Sequence, residues 1–432
     1  MTDRMEWPRL LCADRYGEAR PDPDDGRTPA ERDVSRLLFA NAFRRLHNKT
    51  QVFPLPANDH VHSRLTHSLE VADVGRSLAR LVAPTIRQRH ELPASSDEAL
   101  AGIVQAACLA HDLGNPPFGH AGEDAIGHFF AAGRGRDWIA GCDPARQDDL
   151  KYFEGNAQGF RLLANTSMYK GAGGMRLTAA TLAAFMKYPQ GSPGRGRRER
   201  IGGKKFGFFQ SEADCFRWVA ERCGLLPVTD VTGGAWQRHP AAYLMEAADD
   251  ICYHILDLED GVMLKLVPKQ TMVTACAPIL DRSEAQLAER EPAALRGAAI
   301  GVLVQQTAAA FLAHEDAMLA GDYQRNLTDD IPAAPYLQAI FDTINMPLCY
   351  RSTVALDLEQ TGYNVIDGLL TNLCESLFDG RNRRLIRTLP DGEPQGDTYQ
   401  KALAITDYVS GMTDRYALRR YRAWTGIDIH SV

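Results

Sequence analysis

The sequence has no pair of cysteines at the spacing of a thiolate metal site. Its nine cysteines, Cys12, Cys108, Cys142, Cys215, Cys223, Cys252, Cys276, Cys349 and Cys374, stand singly. Neither a thiolate zinc site nor a disulfide framework is indicated, and a reducing cytoplasm is the expected setting. Met1 to Arg20 carries no apolar h-region, and the most apolar run, Ala298 to Ala313, is broken by Gln305 and Gln306. No export and no membrane span are expected, so the sequons at Asn48, Asn165 and Asn326 are chance matches. Long alternating runs of β type, internal repeats, heptads and an obvious linker are all missing. Gly171-Ala-Gly-Gly174 is not followed by Lys-Ser or Lys-Thr and is no phosphate-cradling P-loop. Excess positive charge is lacking too: 48 Lys and Arg against 55 Asp and Glu leave a net charge of −7. That balance argues against a surface built wholly for nucleic acid, and an anionic ligand then needs a local basic pocket or a metal ion.

What is present suits a large globular core: 432 residues, 45% hydrophobic and 24% charged. The opening stretch, residues 1–28, contains Pro21-Asp-Pro-Asp-Asp-Gly26 and reads as a flexible, exposed arm. Beyond it, apolar residues recur at helical spacing. Leu65, Leu69, Val74, Leu78 and Leu81 form one stripe, and Leu100, Ile103, Val104, Ala107 and Cys108 another. The pattern predicts an all-α or nearly all-α body, with minor peripheral strands near Thr50 to Pro54 and Phe206 to Phe209. Gln190 to Lys205 is rich in Arg, Gly and Pro and reads as a mobile, solvated loop between helices.

Against this background His67, the adjacent His111-Asp112 and Asp249 stand out, each in a stretch of helical periodicity. Imidazole and carboxylate together suit a borderline-to-hard divalent ion, and four protein ligands leave positions open for water. A helix-terminal His-Asp taken alone is more commonly a buried histidine with a carboxylate partner. His120 and Glu123 follow at a new helix start, three residues apart and so on one face, where the carboxylate can orient and charge the imidazole. Capping of free backbone groups and the helix dipole account for the same two residues structurally. Asp249, Tyr253 and Asp257 are spaced i, i+4, i+8 and share a helix face, whereas Asp250 points ~100° away.

The words around these residues narrow the reading. FRRLHNKTQVFPL (43–55), RLTHSLEV (64–71), AHDLGNPPFGHAGE (110–123), FEGNAQGFRLL (153–163), KFGFFQSE (205–212) and YLMEAADDICYHILDLEDG (243–261) resemble the deoxyguanosinetriphosphate triphosphohydrolase family of the HD superfamily. The resemblance implies an HD-domain helical bundle over residues 29–270, with a helical C-terminal region, 271–432, packed on it. It implies hydrolysis of a dNTP, with dGTP the first expectation, to a deoxynucleoside and intact triphosphate. One divalent ion per site, Mn, Mg, Co, Ni or Fe, goes with it, as does a homo-oligomer, frequently a hexamer.

Carried over residue by residue, His67, His111, Asp112 and Asp249 become the metal ligands and His120 with Glu123 the acid/base dyad. Tyr253 stacks on the deoxyribose and Asp257 bonds its 3′-hydroxyl. Arg64, Lys187, Tyr188 and Lys205 grip the triphosphate, and Gln51 offers its amide to base or sugar, against a plain turn-bonding role. Two features depart from the family: Asn115 stands where several relatives carry another histidine, and the Arg/Gly loop interrupts the stretch before KFGFF. Two other readings stay open. One is another HD enzyme, a 5′-nucleotidase or phosphodiesterase; the other is a regulator that binds single-stranded DNA or an effector dNTP, with catalysis secondary.

Overall fold

Helical periodicity becomes helix in the computed structural model, which describes residues 4–17, 22, 25–51, 62–166, 173–351 and 353–427. The starts follow local chemistry. Helix α1 (Pro29–Leu38) opens on a Thr28/Glu31 capping box with proline in its first turn. Ser63 caps α2 (Arg64–Arg89) by accepting from Thr66 N. Helix α3 (Ser95–Ala110) ends on His111, and α4 (His120–Ala131) begins after Gly119. His239 caps α5 (Pro240–Met263) through a ring nitrogen that accepts from Ala241 N. Then come α6 (Pro292–Ala320), stopped by Gly321 at φ 80°, and α7 (Thr353–Phe378). Asp397 and Thr413 cap α8 (Thr398–Ser410) and α9 (Asp414–Thr425).

Buried apolar residues fall into two cores. The first joins α1, α2, α3, α5 and α6 with residues from Met5 to Cys349. The second joins α4, Leu150, Phe153, Phe206 and Phe209 with α7, α8 and α9. Residues 271–349 contribute to the first core alongside α1, α2, α3 and α5. The seam between the two cores matters most for function, because α2, α3 and α5 approach it from one side and α4 from the other.

Four expectations are corrected. Among the described residues no sheet forms. Where strands are expected there are only isolated bridges, Thr50 with Ser63 and Gly191 with Phe208, because each pairing ends after one residue; residues 52–61 lie outside the described residues. The opening arm is anchored over 4–17: Met5, Trp7 and Leu10 are buried in the first core, and Arg15 is ion-paired with Asp22 and Asp33. Asp22 from the Pro/Asp-rich stretch supplies one of those counter-charges, and Asp25 pairs with Arg32, so these two carboxylates mark pairing rather than solvation. In the Leu65 stripe, Leu69 and Leu81 are exposed and the buried face of α2 turns instead through His67, Val71, Val74, Leu78 and Val82. Finally, the loop 190–205 is held down: Gln190 and Ser192 are buried, Ser192 Oγ donates to Asp149 Oδ1 at 2.6 Å, and the Arg195 guanidinium lies 3.1 Å from the Tyr152 ring centroid.

Helix α6 is long and apolar enough to cross a membrane. Its inward face, with Leu303, Phe311 and Met318, belongs to the first core. There Glu315, 1% exposed, accepts from Trp7 Nε1 and Arg89 Nη1, both at 2.7 Å. This anchoring yields a prediction: Trp7→Ala lowers unfolding stability by about 3–5 kcal/mol, the usual loss for a buried aromatic. Denaturant titration reads it, and an unchanged midpoint would mean that the N-terminus is not part of the core.

Candidate active site

Three helices converge at the seam to build a cluster of charge. His67 sits one turn into α2, His111 at the end of α3 and Asp249 in mid α5. Their ligand-capable atoms all lie within 4.8 Å of one another. His67 Nε2 is 3.2 Å and His111 Nε2 3.4 Å from Asp249 Oδ1. His111 Nδ1 donates to the Cys108 carbonyl at 2.7 Å, which leaves Nε2 as the unprotonated face in the neutral ring. That Nε2 is buried without a hydrogen-bond partner. A buried nitrogen lone pair aimed at a carboxylate and a second imidazole fits a divalent cation, so the residues present suit the metal that the motif implies.

Asp112 stands beside this cluster, its Oδ2 3.7 Å from His111 Nε2. Arg64 Nη1 donates to Oδ2 at 2.8 Å, and Asn115 Nδ2 donates to Oδ1. Burial alone raises a carboxyl pKa, yet Arg64 and His111 hold Asp112 down at about 2. Lys187 Nζ donates to Asp249 Oδ2 at 2.8 Å. Burial opposes both charges, and their mutual attraction keeps Asp249 well below and Lys187 above the ordinary values. Desolvation disfavours the imidazolium of His111, but Asp112 and Asp249 outweigh it and raise its pKa. A cation held here would take the place of that proton. Arg64 and Lys187, expected on the triphosphate, hold carboxylates in this structure while also lining the cavity in front of the cluster.

Across the cavity, His120 Nδ1 bonds Glu123 Oε2 at 3.0 Å. Glu123 Oε1 accepts from Gly155 N at 2.7 Å, and Lys205 Nζ lies 4.0 Å from Oε2. The bond to Glu123 raises the pKa of His120. Burial works against Glu123, but His120 and Lys205 keep it ionised below its ordinary value. The His120 side chain is 85% exposed and lines the cavity. Lys205 also bonds Glu154, at 3.0 Å from Oε2.

The cavity encloses 580 Å³, inside the range of ~300–1,000 Å³ common for small-molecule sites. Gln51, Arg64, Lys187, Tyr188, Lys205, His120 and Tyr253 all line it. Gln51 Oε1 is buried without a partner among the described residues. His67 lies beneath, its ring 5.3 Å from that of His111. Asp257 is also behind the wall: it is 3% exposed and accepts from the Tyr350 hydroxyl, and burial pushes its pKa up to about 8. Asp250 turns away from the cluster to accept from Thr328 at 2.9 Å.

Sequence reasoning missed Tyr350, whose ring stacks on Tyr253 with centroids 5.6 Å apart. It lies 93 residues from the carboxylate it covers, and no local pattern announces it. Glu154 and Asn156 also line the cavity. Their stretch, FEGNAQ, was a recognisable word without an assigned role.

A helical bundle that brings a histidine, an adjacent His-Asp pair and a late aspartate to one place defines an HD domain, and the HD domain family matches residues 64–137. The phosphohydrolase-associated domain family matches residues 349–423. A deoxyguanosinetriphosphate triphosphohydrolase-like protein of Synechocystis sp. is 40% identical over 98% of this chain and 100% of its own. One from Pseudomonas aeruginosa is 39% identical over 98% and 99%. A deoxyguanosinetriphosphate triphosphohydrolase of Yersinia pseudotuberculosis is 30% identical over 91% of this chain and 92% of its own. The chain belongs to the deoxyguanosinetriphosphate triphosphohydrolase family of HD hydrolases.

The geometry predicts that His111→Ala and Asp249→Asn each weaken Mn binding by at least the ~10–100-fold typical of lost outer partners of a metal site. Calorimetric titration of the metal-stripped protein measures it, and wild-type affinity in both variants would rule this cluster out as the metal site.

Proposed function

We propose that this protein is a metal-dependent dNTP triphosphohydrolase, with dGTP the preferred substrate, releasing a deoxynucleoside and inorganic triphosphate. One observation carries the reading: a cation-suited His-His-Asp cluster and a His120–Glu123 pair meet at one cavity, which Arg64, Lys187 and Lys205 also line. Membership of a family whose relatives carry that activity in their names supports it.

In this reaction water attacks the α-phosphorus, the bond from that phosphorus to O5′ breaks, and the departing oxygen takes a proton. Glu123 engages Nδ1 of His120, so the proton on Nε2 is the one directed into the cavity. We assign His120 as the acid that protonates O5′, and Glu123 as the carboxylate that keeps the imidazolium populated at neutral pH. Arg64, Lys187, Tyr188 and Lys205 receive the phosphates. Tyr253 packs on the deoxyribose, Gln51 takes a sugar or base group, and Asp257 meets the 3′-hydroxyl once the Tyr350 hydroxyl yields it. A divalent ion held by His67, His111, Asp112 and Asp249, drawn from Mn, Mg, Co, Ni and Fe, supplies charge neutralisation and lowers the pKa of water.

We further assign residues 29–270 as the catalytic core with 271–432 packed on it. Homo-oligomeric assembly, a cytoplasmic setting, and regulation by single-stranded DNA or an effector dNTP complete the reading.

Ion-exchange analysis of products from each dNTP with Mn or Mg tests the chemistry. Intact triphosphate plus deoxynucleoside is expected, with kcat falling about 100–10,000-fold in His120→Ala. Orthophosphate or diphosphate in its place would indicate a nucleotidase or phosphodiesterase, and binding without turnover a regulator. A second expectation concerns pH. The acid form of His120 is required, so activity is lost as pH rises through its raised pKa. Glu123→Gln removes the cause of that rise and moves the alkaline limb of kcat/KM to lower pH; a limb left in place would remove the dyad assignment.

A further inference from the structure

We infer that Asp414, in the C-terminal region, is a positioning residue that sets the catalytic turn carrying His120. This rests on the assignment of His120 above. The turn is unusual in its backbone: Phe118 has φ 66° and Gly119 φ 60°, two successive residues in the left-handed half of conformational space, immediately before His120 opens α4. A phenylalanine adopts that conformation only when its surroundings impose it.

The surroundings here come from a distant part of the chain. Asp414, the first residue of α9, is 1% exposed. Its Oδ1 accepts from Phe118 N at 3.0 Å, across 296 residues. Its Oδ2 accepts from Thr50 N at 2.9 Å and from the Thr50 hydroxyl, next to Gln51. One buried carboxylate thus ties together the turn that presents His120 and the segment that presents Gln51. Two further contacts from the same region act on these segments. Gly362 of α7 leaves room for the turn, since a Cβ there would meet Phe118 Cβ at 2.6 Å. Lys49 Nζ donates to the Ser410 carbonyl at the end of α8, at 2.8 Å, and to the Asn115 carbonyl.

His120 itself has no other fixed point. Its side chain is largely exposed and its ring bonds only Glu123 among the described residues. Its aim therefore depends on the backbone that delivers it. Asp414 touches neither the metal cluster nor the cavity, so it acts through Phe118 and Thr50. The phosphohydrolase-associated region is on this account a working part of the active site, not an appended domain.

A double-mutant cycle tests this. Asp414→Asn keeps the shape but loses the charge. It is expected to lower kcat by about 10–100-fold, the scale on which an ångström of misplacement matters. Mn binding stays unchanged, and the alkaline limb of the pH profile moves with the loosened His120–Glu123 pair. In a His120→Ala background the same substitution should cost less than twofold, and Asp414→Glu should recover part of the loss. Gly362→Ala, which pushes on the turn from the other side, is expected to behave alike and serves if Asp414→Asn does not fold. Equal losses in both backgrounds, or an Asp414→Asn enzyme within twofold of wild type, overturn the inference while leaving His120 in place. An undiminished kcat in His120→Ala overturns the His120 assignment and this inference together.

Discussion

The half-buried Asp249 carboxylate, held among two imidazoles and an ammonium, dictates how tightly the surrounding elements must pack. Removing an ion from water costs several kcal/mol even after relaxation, and only close, well-aligned partners offset it. The partners arrive from different helices: His67 from α2, His111 from the end of α3, and Lys187 from the segment before the Arg/Gly loop. Those elements must dock tightly for the charges to balance. The apolar faces of α2, α3 and α5 in the first core do that docking, so the core and the site stabilise one another.

The second core has a different task. It carries α4, with His120 and Glu123, to the opposite wall of the same cavity. The two groups of titratable residues sit on separate cores yet act on one another, since Arg64 lowers the pKa that Glu123 raises in His120. On one side Arg64, Lys187 and the histidines hold the carboxylates Asp112 and Asp249 fully ionised. On the other, a single carboxylate raises a single imidazole. A cation-suited cluster and a His-Glu pair thus share one cavity.

The end of the cavity beside Tyr253 is governed by packing rather than charge. Tyr350 stacks on Tyr253 and covers Asp257, whose raised pKa follows from burial. Tyr350 comes from the region that follows the first core, so that side of the cavity, like the His120 turn, is completed by the last third of the chain. The family pair matched at residues 64–137 and 349–423 therefore corresponds to one site assembled from both.

The helical class, the metal-suited residues and the His120–Glu123 pair were legible in the sequence, because each is a local matter. Period, caps and i, i+3 or i, i+4 spacing are written within a few residues, and polar residues of unusual type in apolar helices announce themselves. The anchored N-terminus was not legible, since Met5, Trp7 and Leu10 look like any sparse apolar residues until a partner surface 300 residues away covers them. Nor was the rotation of α2, because which flank of a wide apolar face is buried is decided by the neighbours it meets. Arg64 and Lys187 were identified as cations, but only the fold decided that carboxylates hold them. Tyr350 and Asp414 lacked any local signature. Side-chain type and helical spacing are local, so they made the helical class and the candidate residues readable from the chain; burial and long-range contacts, which only the fold supplies, set those residues' partners and aim.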